Sequence, residues 1–311
     1  MHYKDIKGMR ISQYTLGTVQ LGIDYGIANK AGKPGIEKSF SILQTAEELG
    51  INAYDTSEAY GDSENILGKY FTEKSDKTNQ PLIITKVRAK PGDEAEGADL
   101  EKNITSYVEA SLERLNLKRI PILLLHNPND LYTFGKRMAD VMERLVTRGY
   151  IEKAGASVYT TEDVEEMLKY DIYEAIQVPM NIFDHRLIKS GALKKLIDKN
   201  TIIFVRSIFL QGLFFLNPEE LQGKLVKAKE PLVKLRQFAD KAGLNIAQLA
   251  LSYIRDMEGI TSLVIGAETP EQVRENAKLM ETPRLDPDLV EEIERTFTDI
   301  PVEILNPSLW K

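Results

Sequence analysis

The chain has no cysteine, three histidines and a single tryptophan in 311 residues. The first absence removes disulfides, thiolate nucleophiles and cysteine-bound metals together. The histidines are His2, His126 and His185, with no H-x-H or H-E-x-x-H pair among them. A metal-dependent barrel hydrolase is therefore disfavoured, and no metal site is expected. No G-x-G-x-x-G follows the first predicted strand, where the chain reads GTVQLGIDYG, and a Walker A motif is also missing. This argues against an open dinucleotide-binding sheet. Nor is there a basic surplus: 47 acids against 40 bases, spread along the chain, leave a formal charge of −7. No face is advertised for nucleic acid or anionic lipid. The longest apolar runs, such as IPILLL, are strand-sized, and the opening MHYKDIKGMRIS has no apolar signal segment. The expectation is a cytoplasmic protein with a small-molecule partner and no membrane association.

What is present is a regular beat. YKDI and MRIS, joined at Lys7-Gly8, read as a short hairpin ahead of the main fold. Eight short aliphatic or β-branched runs follow: YTLGT, INAYD, LIITK, PILLLH, KAGAS, AIQV, TIIFVRS and SLVIGA. Stretches with apolar residues every three or four positions separate them, among them FSILQTAEEL, ITSYVEASLERL and EQVRENAKLM. With no flexible linker or composition break, the pattern predicts one domain over residues 1–311, a (β/α)8 barrel with a short N-terminal β-hairpin. Two long segments break the beat, RAKPGDEAEGADLEKN after the third barrel strand and IFLQGLFFLNPEELQGKL after the seventh. Both read as binding walls or lids.

Catalytic groups of such barrels lie at the carboxyl ends of the strands. Those ends carry Asp55, Lys86, His126, Ser157, Gln177, Arg206 and Ser207, with Tyr60 in the loop DTSEAYGDSE just past Asp55. Singly, each has an ordinary structural use; Asp55, for instance, is a good helix cap. Together they suggest acid–base chemistry. A phenol titrating near 10 is a poor acid at neutral pH, but an adjacent ammonium lowers it. Lys86 is the candidate ammonium, Asp55 its counter-charge, and His126 a group to orient a carbonyl oxygen.

DTSEAYGDSE, with LIITK, ILLLHNP, EKAGASVY, AIQVPMN, VRSIFLQG and VIGAETPEQVREN in this order, resembles the aldo-keto reductases, barrel enzymes that interconvert carbonyls and alcohols with a nicotinamide cofactor. The resemblance implies Tyr60 as proton donor, Lys86 as the residue that tunes it, Asp55 as its partner and His126 as the carbonyl-orienting group. For the dinucleotide it implies Gly17, Thr18, Ser157, Gln177, Arg206, Ser207, Phe209, Gln211, Gly266, Gln272, Glu275 and Asn276. Val158 replaces the usual asparagine, and Arg206 stands for the aromatic residue that commonly stacks on the nicotinamide. Gly266 and Gln272 stand where many relatives place cations for the 2′-phosphate. The family prior is NADP(H); Glu268 and Glu271 make NAD(H) plausible. The substrate class is an aldehyde, a ketone or a sugar; Asp24, Tyr25 and Asn29, in the loop after the first barrel strand, either suit a polyhydroxylated substrate such as a sugar or belong to an ordinary glycine-rich surface loop, and Trp310 either closes the pocket or packs against the barrel. The alternative is a non-enzymatic cofactor-binding or regulatory subunit of the same fold.

Overall fold

A computed structural model describes residues 1–25, 32–73, 81–95 and 99–310. The hairpin falls where it was expected, β1 (Tyr3–Ile6) against β2 (Met9–Ser12), with Lys7 and Gly8 at positive φ in the turn. Eight parallel strands follow: β3 (Tyr14–Gly17), β4 (Ala53–Asp55), β5 (Leu82–Val87), β6 (Ile120–Leu125), β7 (Ile151–Ser157), β8 (Tyr173–Pro179), β9 (Ile202–Arg206) and β10 (Ser262–Gly266). They hydrogen-bond in chain order, and β10 returns to β3, closing the barrel. Helices separate the strands, so the fold is a (β/α)8 barrel with an N-terminal two-stranded antiparallel sheet.

Two apolar cores result. The larger lies between barrel and helices. The smaller fills the barrel with Ala53, Ile84, Ile122, Leu124, Ala175, Ile202 and Phe204, and Met9 and Ile11 of the hairpin pack onto it. The hairpin is thus a floor, held also by Lys7, which shares Glu174 with Lys153 at 2.9 and 2.8 Å.

Three features depart from the sequence reading. The helix after β5 begins at Leu100, capped by Asp99, so LEKN belongs to it and not to the long loop. The segment after β9 is built from three 3-10 turns, Leu210–Phe215, Pro218–Glu220 and Gly223–Ala228. Two C-terminal helices, Pro287–Thr296 and Val302–Leu305, lie beyond the alternating pattern.

Candidate active site

Strand alternation explains why one end of the barrel is polar. In a strand every second side chain shares a face. Asp55 therefore points with Ala53, Lys86 with Ile84, Gln177 with Ala175 and Arg206 with Phe204, each polar residue one pleat above an apolar one of the inner core. His126 follows β6 and keeps that parity with Leu124, its N–H donating to the Val87 carbonyl at 2.8 Å.

Lys86 is the hub. Its ammonium donates to Asp55 Oδ1 at 2.7 Å, to the Thr56 carbonyl at 2.9 Å and to the Tyr60 hydroxyl at 3.3 Å. Three N–H bonds meet three acceptors. The side chains of Lys86 and Asp55 are 1% and 6% exposed, and such a pair persists only when its remaining bonding capacity is satisfied. Gln177 Nε2 supplies another bond to Asp55 Oδ1, at 2.7 Å.

The charges do not act quite as the sequence suggested. Burial is the largest influence on the Tyr60 phenol and lifts it above its usual range; the Lys86 charge pulls down without overcoming it, and Asp55 adds to the rise. Burial also disfavours the Lys86 ammonium, but Asp55 and Tyr60 more than offset this and its pKa is raised. At neutral pH the pair is therefore a protonated phenol beside an ammonium. Burial, helped by the cations of Lys86, Arg88 and Arg206, depresses His126 to about 3. Its imidazole is neutral. Ser57 Oγ accepts from the Ala59 N–H at 3.1 Å and lies 3.0 Å from His126 Nδ1. Ser57 thus ties His126 Nδ1 to the tyrosine loop, and a neutral ring whose Nδ1 accepts from that hydroxyl carries its proton on Nε2 as a donor.

Tyr60 is held by its backbone. A methyl at Gly22 would sit 1.6 Å from the Tyr60 carbonyl oxygen, and Gly61, at φ +54°, lies against the Gly22 carbonyl. Beneath, the Ser63 hydroxyl meets those of Thr18 (2.7 Å) and Thr56 (2.8 Å) and donates to the Thr18 carbonyl. Glu64, fully buried, accepts from Thr85 at 2.6 Å and Arg114 at 2.7 Å. Thr18 and the Ser-Glu of DTSEAYGDSE thus brace the loop from below. Gly22 had no signal in the single sequence.

Around the mouth, Arg206 donates to the Val158 carbonyl at 3.0 Å and lies over the Tyr159 ring at 4.5 Å. Tyr25 accepts from Gln211 Nε2 at 3.1 Å, whereas Asp24 is used within its own loop, by the Lys33 N–H. Asn29 lies outside the described residues. Ser207, Leu210 and Gln211 all have positive φ, a strained run for non-glycine residues. Phe209 meets Phe215 in a tilted ring contact, centroids 5.5 Å apart. Trp310 packs against the tail, its indole donating to the Ile304 carbonyl at 3.2 Å.

The family model for the aldo/keto reductase family matches residues 14–296. The chain belongs to that family. Among named relatives, an Arabidopsis thaliana protein described as "Probable voltage-gated potassium channel subunit beta" is 23% identical, over 97% of this chain and 98% of its own. A Schizosaccharomyces pombe channel-subunit relative of like description is 25% identical, over 96% and 93%. An aldo-keto reductase from Bacillus halodurans, solved in its holo form, superposes with a TM-score of 0.77 at 21% identity, over the whole of both chains. An aldo-keto reductase fold is therefore shared throughout.

Members of this family are generally NAD(P)H-dependent carbonyl reductases, and the residues here fit such a group. Gly17 and Gly266 face each other across β3 and β10. A methyl at Gly266 would meet the Gln20 amide at 2.3 Å, and Gln20 Oε1 is buried with no hydrogen-bond partner among the described residues. That acceptor suits a polar ligand. Ser157 and Gln177 sit side by side, Oγ to Oε1 at 3.5 Å. Asn276 reaches the Gly266 carbonyl and the Tyr14 hydroxyl, both at 3.4 Å, and Glu275 is exposed one residue earlier. Gln272 is turned back onto the Glu268 N–H at 2.7 Å, and Arg274 pairs with Glu271 at 3.6 Å.

Because Lys86 leaves three acceptors behind when removed, Lys86→Met should lower stability by about 3–5 kcal/mol. Adding Asp55→Asn should recover part of that loss. Urea unfolding of both variants checks this, and a double variant less stable than Lys86→Met would refute the account.

Proposed function

We propose that the protein is an NAD(P)(H)-dependent oxidoreductase that interconverts a carbonyl and an alcohol, with Tyr60 as general acid and base. The observation that carries this is the Tyr60–Lys86–Asp55 chain of contacts beside a neutral His126. A bound nicotinamide would supply or accept the hydride, while Ser157 and Gln177 would hold its carboxamide and Arg206 would lie against its ring.

In the reductive direction, Tyr60 gives its hydroxyl proton to the carbonyl oxygen. His126 Nε2–H orients that oxygen, and as a neutral donor it does not compete for the proton. The phenolate left on Tyr60 is stabilised by the ammonium it already touches. Lys86 therefore acts on the product of proton transfer at least as much as on the resting acid.

The surroundings of Gly266 support NAD(H) over NADP(H). Positions 266 and 272 carry no cation, and Glu268 brings a carboxylate that favours a ribose diol over a phosphate, while the Glu271 carboxylate is paired with Arg274 and Lys38 acts on both acids. The substrate is a small carbonyl compound. The engagement of Asp24 within its loop weighs against the polyol reading.

The channel-subunit relatives favour a second reading, a cofactor-binding subunit that turns nothing over. Tyr60→Phe separates the two. It should bind cofactor as the wild type does and lose turnover by ~10²–10⁴-fold; wild-type protein that binds cofactor but reduces nothing in a broad carbonyl panel would favour the subunit. With a phenol raised and an imidazole held near 3, kcat/KM for reduction should be flat from about pH 5 to about pH 9. An ionisation within that window that vanishes in Tyr60→Phe would overturn the assigned protonation states. Calorimetric titration should show NADH binding at least as tightly as NADPH, and a preference for NADPH of ~10-fold or more would move the 2′-phosphate onto Arg274 or Lys278.

A further inference from the structure

Within the reductase reading, the mouth of the barrel carries positive charge that no acid neutralises, part of it on Arg206, which would also lie against the nicotinamide ring. Lys86 is neutralised by Asp55, and Tyr60 and His126 are uncharged. Two guanidinium groups remain. Arg88 lies just past β5, on the chain side that His126 joins through the Val87 carbonyl. It is exposed and, among the described residues, makes no hydrogen bond and has no carboxylate within ion-pair distance. Arg206 ends β9, four strands away in the closed ring. Its partners are a carbonyl, a hydroxyl and an aromatic ring, none of them an acid.

Nearby acids are already engaged. Glu58 pairs with Lys90 at 3.6 Å, Asp130 accepts from the Ala89 N–H at 3.0 Å, and Asp24 accepts from the Lys33 N–H. Burial lifts the Asp130 carboxyl to about 6, and Arg88, beyond 4 Å of it, only partly opposes that rise. By chain position Arg88 lies two residues past Lys86 and one past Val87, whose carbonyl holds the His126 backbone, while Arg206 ends the strand that carries Phe204 of the inner core, and both guanidinium charges are felt at His126. In a chain of net charge −7, two uncompensated arginines flanking one histidine are a local reversal of sign.

We infer that the substrate carries an anionic group, a carboxylate or a phosphate, a few bonds from its reacting carbonyl, with Arg88 as the residue that binds it and Arg206 adding attraction from the opposite wall. Arginine suits this because its planar fork meets two oxygens at once. Tyr25 and Tyr159, both partly exposed beside Arg206, give the carbon chain an aromatic flank.

The test uses matched pairs with whichever nicotinamide binds: succinic semialdehyde against butanal, and the phosphate ester of glyceraldehyde against glyceraldehyde. At least one anionic member should exceed its neutral partner in kcat/KM by ~10-fold or more, and Arg88→Gln should lower that ratio by about tenfold. The pair that responds tells carboxylate from phosphate. Ratios near one in both pairs, or a ratio unmoved by Arg88→Gln, would overturn the inference while turnover of the neutral aldehydes leaves the reductase standing. If no aldehyde is reduced, the reductase reading falls, and calorimetry with succinate and inorganic phosphate decides the anion site alone. Binding weakened by Arg88→Gln supports it; binding of neither, or equal binding by the variant, rejects it.

Discussion

The buried ion pair between Asp55 and Lys86 is the constraint around which the site is arranged. Two charges taken out of water at the top of an apolar barrel are tolerated only because each is met by further hydrogen bonds. Thr56 and Tyr60 complete the ammonium, and Gln177 adds to the carboxylate. Tyr60 is thus not an independent catalyst placed near a lysine. It is one of that lysine's three acceptors, and its hydroxyl cannot drift without leaving a buried N–H unmet.

The same economy extends outward. Asp55, Lys86 and Gln177 come from β4, β5 and β8, so a local shift in any of these strands is felt at one point. Rigidity comes from below the chemistry: Ser63, Thr18 and Thr56 knit the start of the tyrosine loop to β3 and β4, and Glu64 ties the following helix to Thr85 on β5. At the rim the contacts are fewer, a single hydrogen bond joining Tyr25 to Gln211, with Arg206 held by the Val158 carbonyl, the Ser207 hydroxyl and the Tyr159 ring.

Much of this was legible in the sequence because it depends on short-range pattern. Eight aliphatic runs and a Lys-Gly turn marked every strand, and the polar residues at the strand ends marked the mouth of the barrel. What escaped depends on three-dimensional neighbourhood. The sign of the Tyr60 shift could not be read, since it turns on how deeply the phenol is buried, and spacing says nothing of depth. Gly22 looks like any loop glycine until the Tyr60 carbonyl is found against it. The Thr18 hydroxyl also holds the Asp55 carbonyl at 2.8 Å, a bracing role that its place in the loop does not announce. The helix from Pro287 has an Asp-Pro start and the apolar spacing of its predecessors, but no strand follows it among the described residues, so a search for alternation passes over it.

The hairpin floor has a kinetic meaning. With Met9 and Ile11 packed onto the inner core and Phe204, Leu124 and Ile122 filling the barrel above them, the barrel axis offers no second way through. Everything that reaches Tyr60 must arrive, and depart, by the mouth between the strand-end loops. The mouth loops thus control both access and release, and a change in them alters the two together, while the plugged end contributes to neither.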